Sequence, residues 1–179
     1  MNHLDVGYNG IPETGFIANV VNTYFQEYFP RAVRMAKEMS AVSPNDSFIY
    51  TSHPWLIHLY LECPPNLILS GIKVQCPSQD DVTNFEDAIN SGYIAWHAGP
   101  MNMQVELMNS AVLQAGIQIA KQLDQQFQHQ TTVLSQRDVP GLTACSIPFL
   151  LQNGIKGITV GVNPGSSPPA VPPIFQWNY

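Results

Sequence analysis

The chain has 179 residues, of which 45% are hydrophobic and only 11% charged, with a formal net charge of −6. That length fits one domain able to bury a real core. The absence of a Lys/Arg cluster or basic stripe argues against nucleic acid and anionic membranes as partners. No apolar run reaches the ~18 residues needed to span a bilayer. No charged n-region followed by an apolar h-region marks a signal peptide, and localisation stays open. A neutral surface rich in amides and aromatics suits an uncharged polar ligand such as a sugar. The three cysteines, Cys63, Cys76 and Cys145, are odd in number and lack CxxC spacing. They are expected to be buried free thiols.

The first eight residues carry the densest polar signal. In an extended strand alternate side chains share a face, so His3 and Asp5 project together while Leu4 and Val6 pack on the other side. An imidazole beside a carboxylate is half of a site that zinc accepts. Gly7 permits a sharp exit, and Tyr8 then lands beside the pair, where its ring can stack on a ligand. The strand begins at Met1, already at its functional end, so the chain is expected to lack its natural start.

From Phe16 to about Met39, apolar residues at Ile17, Val20, Val21, Tyr24, Phe25 and Tyr28 predict a helix, kinked or restarted at Pro30. Ser47–Thr51 predicts a short buried strand, ended by Ser52-His53-Pro54. A helix follows to Leu61 with Pro54 at its first position. Residues 63–81 are Pro-rich and irregular. Thr83 to Ile89 predicts a brief helix, capped by Thr83 with Glu86 three residues on. Gly92–Trp96 is the next strand, ended by His97-Ala98-Gly99-Pro100, and a long amphipathic helix runs from about Asn102 to Gln128. Thr131–Ser135 is a strand ended by Gln136-Arg137-Asp138-Val139-Pro140. Gly141–Leu151 is helical, with Asn153-Gly154 as its stop. Lys156–Val162 is the last strand, ended by Asn163-Pro164-Gly165. The tail, 166–179, is Pro-rich and extended.

Strand and helix alternate throughout, which predicts an α/β fold with a parallel sheet, open or curled into an incomplete (β/α) barrel over residues 1–165. Such folds carry function at the carboxyl ends of their strands. There this chain places His3 and Asp5, His53, His97, Asp138 and Asn163.

With those residues in view, the sequence resembles the catalytic domain of the family 38 glycoside hydrolases, the α-mannosidases. It is most similar to relatives that carry a family-38-like domain of unknown function. His3-Leu4-Asp5-Val6-Gly7-Tyr8 resembles the family's His-x-Asp-x-Gly-Trp zinc motif. Gly92 to Glu106 sits where the family has a Gly-Gly-Trp-Val-Met-x-Asp-Glu segment. Gln136 to Thr143 sits where the family has its nucleophile segment, an Asp followed by Pro-Phe-Gly-His-Ser. The resemblance covers most of this chain but only the front part of such an enzyme. It implies zinc held by His3, Asp5 and Asp138, with Asp138 also the nucleophile of a retaining hydrolysis, and Tyr8 lining the sugar site.

His97 and Asn102 complete the expected substrate-binding set. For His97, a contact to substrate or metal competes with a loop histidine bonded to backbone. Departures from the family are Leu4 for a polar residue, Val139-Pro140-Gly141-Leu142 for Pro-Phe-Gly-His, and Glu106 as the one acid where an Asp-Glu pair stands. The family's general acid and histidine ligand come later than the segments matched here. Two other readings remain open: a non-catalytic fragment or pseudoenzyme that binds metal or sugar, and a metal-dependent polysaccharide deacetylase. The glycan and the oligomeric state are not readable.

Overall fold

The computed structural model describes residues 17–43, 45–69, 71–138, 141–163 and 165–177, with side chains described from residue 20 onward. The strand expected at the amino terminus, with His3, Asp5 and Tyr8, falls outside the described residues. The chain divides into two compact units, one drawn from residues up to 52 and from 56–95, the other from 53–55 and from 96 onward.

The first unit opens with α1 (Ile17–Thr23), a π-helical turn (Tyr24–Tyr28) and α2 (Phe29–Val42). The expected single helix is thus interrupted just before Pro30. Proline has no N–H to donate, and its ring crowds the carbonyl one turn back. A wider π turn accommodates both defects. The turn delivers the unit's aromatic core: Phe25, Phe29, Tyr60 and Phe85 are each no more than 1% exposed. Their rings meet at 5.1 Å (Phe25–Tyr60), 4.8 Å (Phe29–Phe85) and 4.7 Å (Tyr60–Phe85). Burial, and secondarily the Asp81 carboxylate, push the Tyr60 phenol above its ordinary range.

After α2 come β1 (Tyr50–Ser52) and α3 (Pro54–Leu61), which starts on the expected proline. The stretch read as irregular holds a small antiparallel hairpin, β2 (Ile68–Leu69) and β3 (Ile72–Lys73), turning through Gly71 at φ +79°. The hairpin reverses the chain and brings Cys63 and Cys76 to a Cα separation of 5.6 Å, joined as a disulfide. The expectation of free buried thiols is therefore corrected: two cysteines are bonded and Cys145 is free but exposed. The bond closes a loop of 13 residues' separation, so Cys63→Ser is expected to cost about 3 kcal/mol of stability. Urea unfolding checks this, and an unchanged midpoint would show that the cross-link adds nothing to the fold.

Next is α4 (Gln79–Asn90), and its cap corrects the sequence reading. Ser78 Oγ accepts from the Asp81 backbone N–H at 3.1 Å, and Asp81 accepts in return from the Ser78 N–H at 3.2 Å. That reciprocal box satisfies two orphan donors, so the helix starts before Thr83, whose hydroxyl instead bonds back to the Gln79 carbonyl at 3.0 Å. The strand β4 (Ile94–Trp96) pairs with β1.

The second unit contains a 3-10 turn (Val105–Leu107) and then α5 (Ser110–Phe127). The expected helix start near Asn102 is too early. Asn109 caps α5, its side-chain oxygen accepting from the Val112 N–H at 2.9 Å. The buried stripe of α5 is Leu113, Ile117, Ala120 and Leu123, and it includes Asp124. That carboxylate accepts from Trp96 Nε1 at 2.9 Å, Thr131 Oγ1 at 2.6 Å, the Thr131 N–H at 3.0 Å and Lys121 Nζ at 3.3 Å. A buried charge is tolerated when its lone pairs are filled in this way.

Then come β5 (Val133–Asp138), α6 (Ile147–Gln152) and β6 (Gly157–Val162). β5 and β6 are parallel, in register from Val133↔Gly157 to Asp138↔Val162. Because β6 supplies ladder partners that far, β5 runs past Ser135 to Asp138, beyond its expected end. Ala98, Met103, Leu113, Ile117, Leu134, Ile147 and Leu150 form the core beneath.

The fold is mixed α/β. The expected parallel pairing across a helical crossover holds for β5 and β6. A single continuous sheet does not: the described strands form three two-stranded sheets, one of them antiparallel, and no closed barrel. Among the described residues, no helix is long and apolar enough to cross a membrane.

Candidate functional site

The polar side chains of the second unit gather along β5 and the loop that follows β4. β5 reads Val-Leu-Ser-Gln-Arg-Asp, and its middle three residues, Leu134, Ser135 and Gln136, are buried. A buried polar side chain in a strand must find partners, and here each does. Ser135 Oγ accepts from Thr159 Oγ1 on β6 at 3.0 Å. The Gln136 amide grips the Met103 backbone from both sides, accepting from its N–H and donating to its carbonyl. The loop after β4 is thereby tied to the sheet, with further bonds from the Ala98 N–H to the Val133 carbonyl at 2.9 Å and from the Trp55 N–H to the Pro100 carbonyl at 3.3 Å.

His97 lies at the root of that loop, 3% exposed, against His53 at 1%. Its Nδ1 accepts from the backbone N–H groups of Gly99 at 3.2 Å and Ser135 at 3.3 Å. Its Nε2 lies 3.0 Å from His53 Nδ1, so both of its ring nitrogens are engaged within the protein. Burial first, and the neighbouring His53 ring second, push the His97 imidazole down to about 3 from its ordinary 6.5. The packing leaves no slack. A methyl group on Gly99 would come within 2.8 Å of Leu134 Cδ1 and 3.3 Å of His97 Cε1.

Beyond the histidines the loop carries Asn102. Its Oδ1 accepts from the Arg137 N–H at 3.4 Å, while its Nδ2 is buried with no hydrogen-bond partner among the described residues. Leaving such a donor unused costs about 1–3 kcal/mol. Arg137 itself lies across Gly161, where an added methyl would stand 3.3 Å from the guanidinium carbon.

Asp138 ends β5 in the left-handed region, φ +68°. That conformation is uncommon outside glycine, though Asp and Asn tolerate it best. Its carbonyl accepts from the Asn163 side chain at 3.2 Å, and Asn163 Oδ1 in turn accepts from the Gly165 N–H at 2.8 Å. The two parallel strands thus end in one tied corner. Glu106, exposed, lies with its carboxylate against Gly141, three residues past Asp138.

The structure therefore brings Asn102 to the β5 end that carries Asp138, and sets His97 deeper along the same strand at Ser135. His3, Asp5 and Tyr8 lie outside the described residues, as do Val139 and Pro140 of the segment expected to carry the nucleophile. Among the described residues no group of three or more His, Cys, Asp or Glu is placed to hold a metal ion. Gln136 was missed by the sequence reading, which put it past the end of its strand. The available signal was that a six-residue strand from Val133 would carry it inside. Comparisons with protein-family models, with known proteins and with solved structures find no match.

Proposed function

We propose that this chain is a zinc-dependent retaining glycoside hydrolase domain of α-mannosidase type, acting on α-mannosides or similar glycans. One observation supports it above the rest: an uncommon backbone at Asp138 and an unspent buried donor at Asn102 meet at the carboxyl end of a parallel strand pair. Backbone strain retained at a strand end is a pointer to function, and this end is where α/β folds place their ligands.

The described residues offer one expected ligand, Asp138, which terminates its strand at that corner. His3 and Asp5 would supply the other two, and one imidazole with two carboxylates is a donor set zinc accepts. When bound, zinc would grip sugar hydroxyls and hold the adjacent carboxylate ionised. In this scheme Asp138 would attack the anomeric carbon as the glycosidic C–O bond breaks and the leaving oxygen takes a proton from a general acid outside the matched segments, and water would then displace the Asp138 carboxylate to release the sugar. Asn102 Nδ2 donates to a sugar oxygen, and the Tyr8 ring stacks on the sugar face. His97, with both nitrogens engaged, holds the loop that presents Asn102.

A second reading, a non-catalytic domain that binds sugar or metal, draws on the same site. Gln136 and His97 spend their hydrogen bonds inside the protein, as a scaffold would. Zinc content of the purified chain after dialysis, with hydrolysis of an aryl α-mannoside, separates the two. About one zinc per chain with mannose release is the expected result. Zinc or sugar binding without turnover would favour the second reading, and acetate release from an acetylated polysaccharide would indicate a deacetylase instead.

A further inference from the structure

We infer that His53 and His97 form a tautomer-locked pair in which His97 is a positioning residue. It forces His53 to carry its proton at Nε2, so that this nitrogen is a hydrogen-bond donor and does not ligate a metal ion. The inference stands on the hydrogen-bond geometry alone and does not depend on the proposed activity.

A neutral imidazole has one donor nitrogen and one acceptor nitrogen, and which is which follows from their partners. Backbone amides can only donate. Two of them, Gly99 at 3.2 Å and Ser135 at 3.3 Å, point at His97 Nδ1, which must therefore carry the lone pair. The proton of His97 then sits on Nε2. That nitrogen is 3.0 Å from His53 Nδ1, which must accept it. The remaining proton of the pair is left on His53 Nε2.

Each alternative fails for a stated reason. A metal on His53 Nε2 needs a lone pair there, which moves the proton to His53 Nδ1. That proton would face the one on His97 Nε2. Moving the His97 proton to Nδ1 instead sets it against two amide hydrogens. With the rings 1% and 3% exposed, water cannot relieve either clash. The resistance of His97 to protonation, which holds it down to about 3, agrees with there being no place for an extra proton. The close approach of Gly99 to the ring, where a Cβ would stand 3.3 Å from Cε1, keeps His97 from turning over.

Nitrogen-15 NMR of the histidine-labelled full chain at neutral pH, without added metal, tests the pair directly. Both rings are expected to show a protonated Nε2 and a bare Nδ1. A proton on His53 Nδ1 would overturn the inference. Titration with zinc chloride should leave the His53 signals in place, and loss of the His53 Nε2 proton on zinc addition would overturn the exclusion of metal. In His97→Gln the side-chain amide nitrogen can still donate to His53 Nδ1, so the His53 tautomer should survive. In His97→Asn the oxygen can still accept the backbone amides but nothing donates to His53, whose tautomers should become mixed. A single unchanged His53 tautomer in His97→Asn would remove the positioning role. If either variant fails to fold, the two wild-type spectra still decide the tautomer and the metal exclusion.

Discussion

Acidification is expected to remove up to about 5 kcal/mol of stability through one buried imidazole, His97. The unfolded chain protonates this ring at its ordinary 6.5, whereas the folded protein resists until about 3. Between those values the unfolded state binds the extra proton, so stability falls as pH falls, by roughly 1.4 kcal/mol per pH unit. Above the upper value the ring is neutral in both states and contributes no slope. Below the lower value the loss levels off. Urea unfolding across that window measures the effect, with His97→Gln as the control because its amide does not titrate. Carboxylates add their own acid loss to both proteins, so the difference between the two curves is the quantity that matters. Parallel curves would mean that the ring accepts its proton in place, against the geometry around Gly99 and Ser135.

Asp138→Asn is expected to reduce glycoside turnover by roughly 10⁴-fold or more, the scale on which removing a catalytic nucleophile acts, while leaving the fold intact. The expectation of an intact fold has a local reason. The backbone at this position, φ +68°, is one that Asn adopts at least as readily as Asp. The Asn163 side chain holds the Asp138 carbonyl, a group the substitution does not alter. The variant therefore separates chemistry from structure. Its thermal midpoint should match that of wild type within a few degrees, and aryl α-mannoside hydrolysis reports the chemistry. Full turnover in the variant would remove Asp138 from the reaction and, with it, the reason for placing the site at this corner.

What could be read from the sequence was what local chemistry dictates. Pro54 starts α3 because a first-turn proline loses no hydrogen bond. The run 157–162 is legible as a short β-branched segment set between Asn153-Gly154 and Asn163-Pro164-Gly165, and α5 as an amphipathic helix whose buried face, Leu113, Ile117, Ala120 and Leu123, shows only in three dimensions. The π turn at Tyr24–Tyr28 follows from Pro30 once the helix is granted. Other features depend on partners distant in sequence. Cys63 and Cys76 meet only because a short hairpin lies between them. β5 runs to Asp138 because β6 is there to pair with it. Asp124 sits on the buried stripe of α5, a position that signals a hidden partner, yet Trp96 and Thr131 could not be named from spacing. For His97 the sequence left two roles open, and its backbone partners became visible only in three dimensions.

The helix cap at Ser78 is a milder case. Ser78 and Asp81 form as good a capping box as Thr83 and Glu86, and the choice between them rests on how much of the segment packs. Phe85, Ala88 and Ile89 are buried on the face that α4 turns inward.

In the proposed site the amino-terminal imidazole and carboxylate converge with the end of β5 on one zinc ion. Crystals of the protein grown with zinc, with anomalous scattering collected at the zinc edge, test it most directly. One strong peak touched by His3, Asp5 and Asp138 together is the expected result. A zinc site that excludes Asp138, or one built on His53, would contradict it.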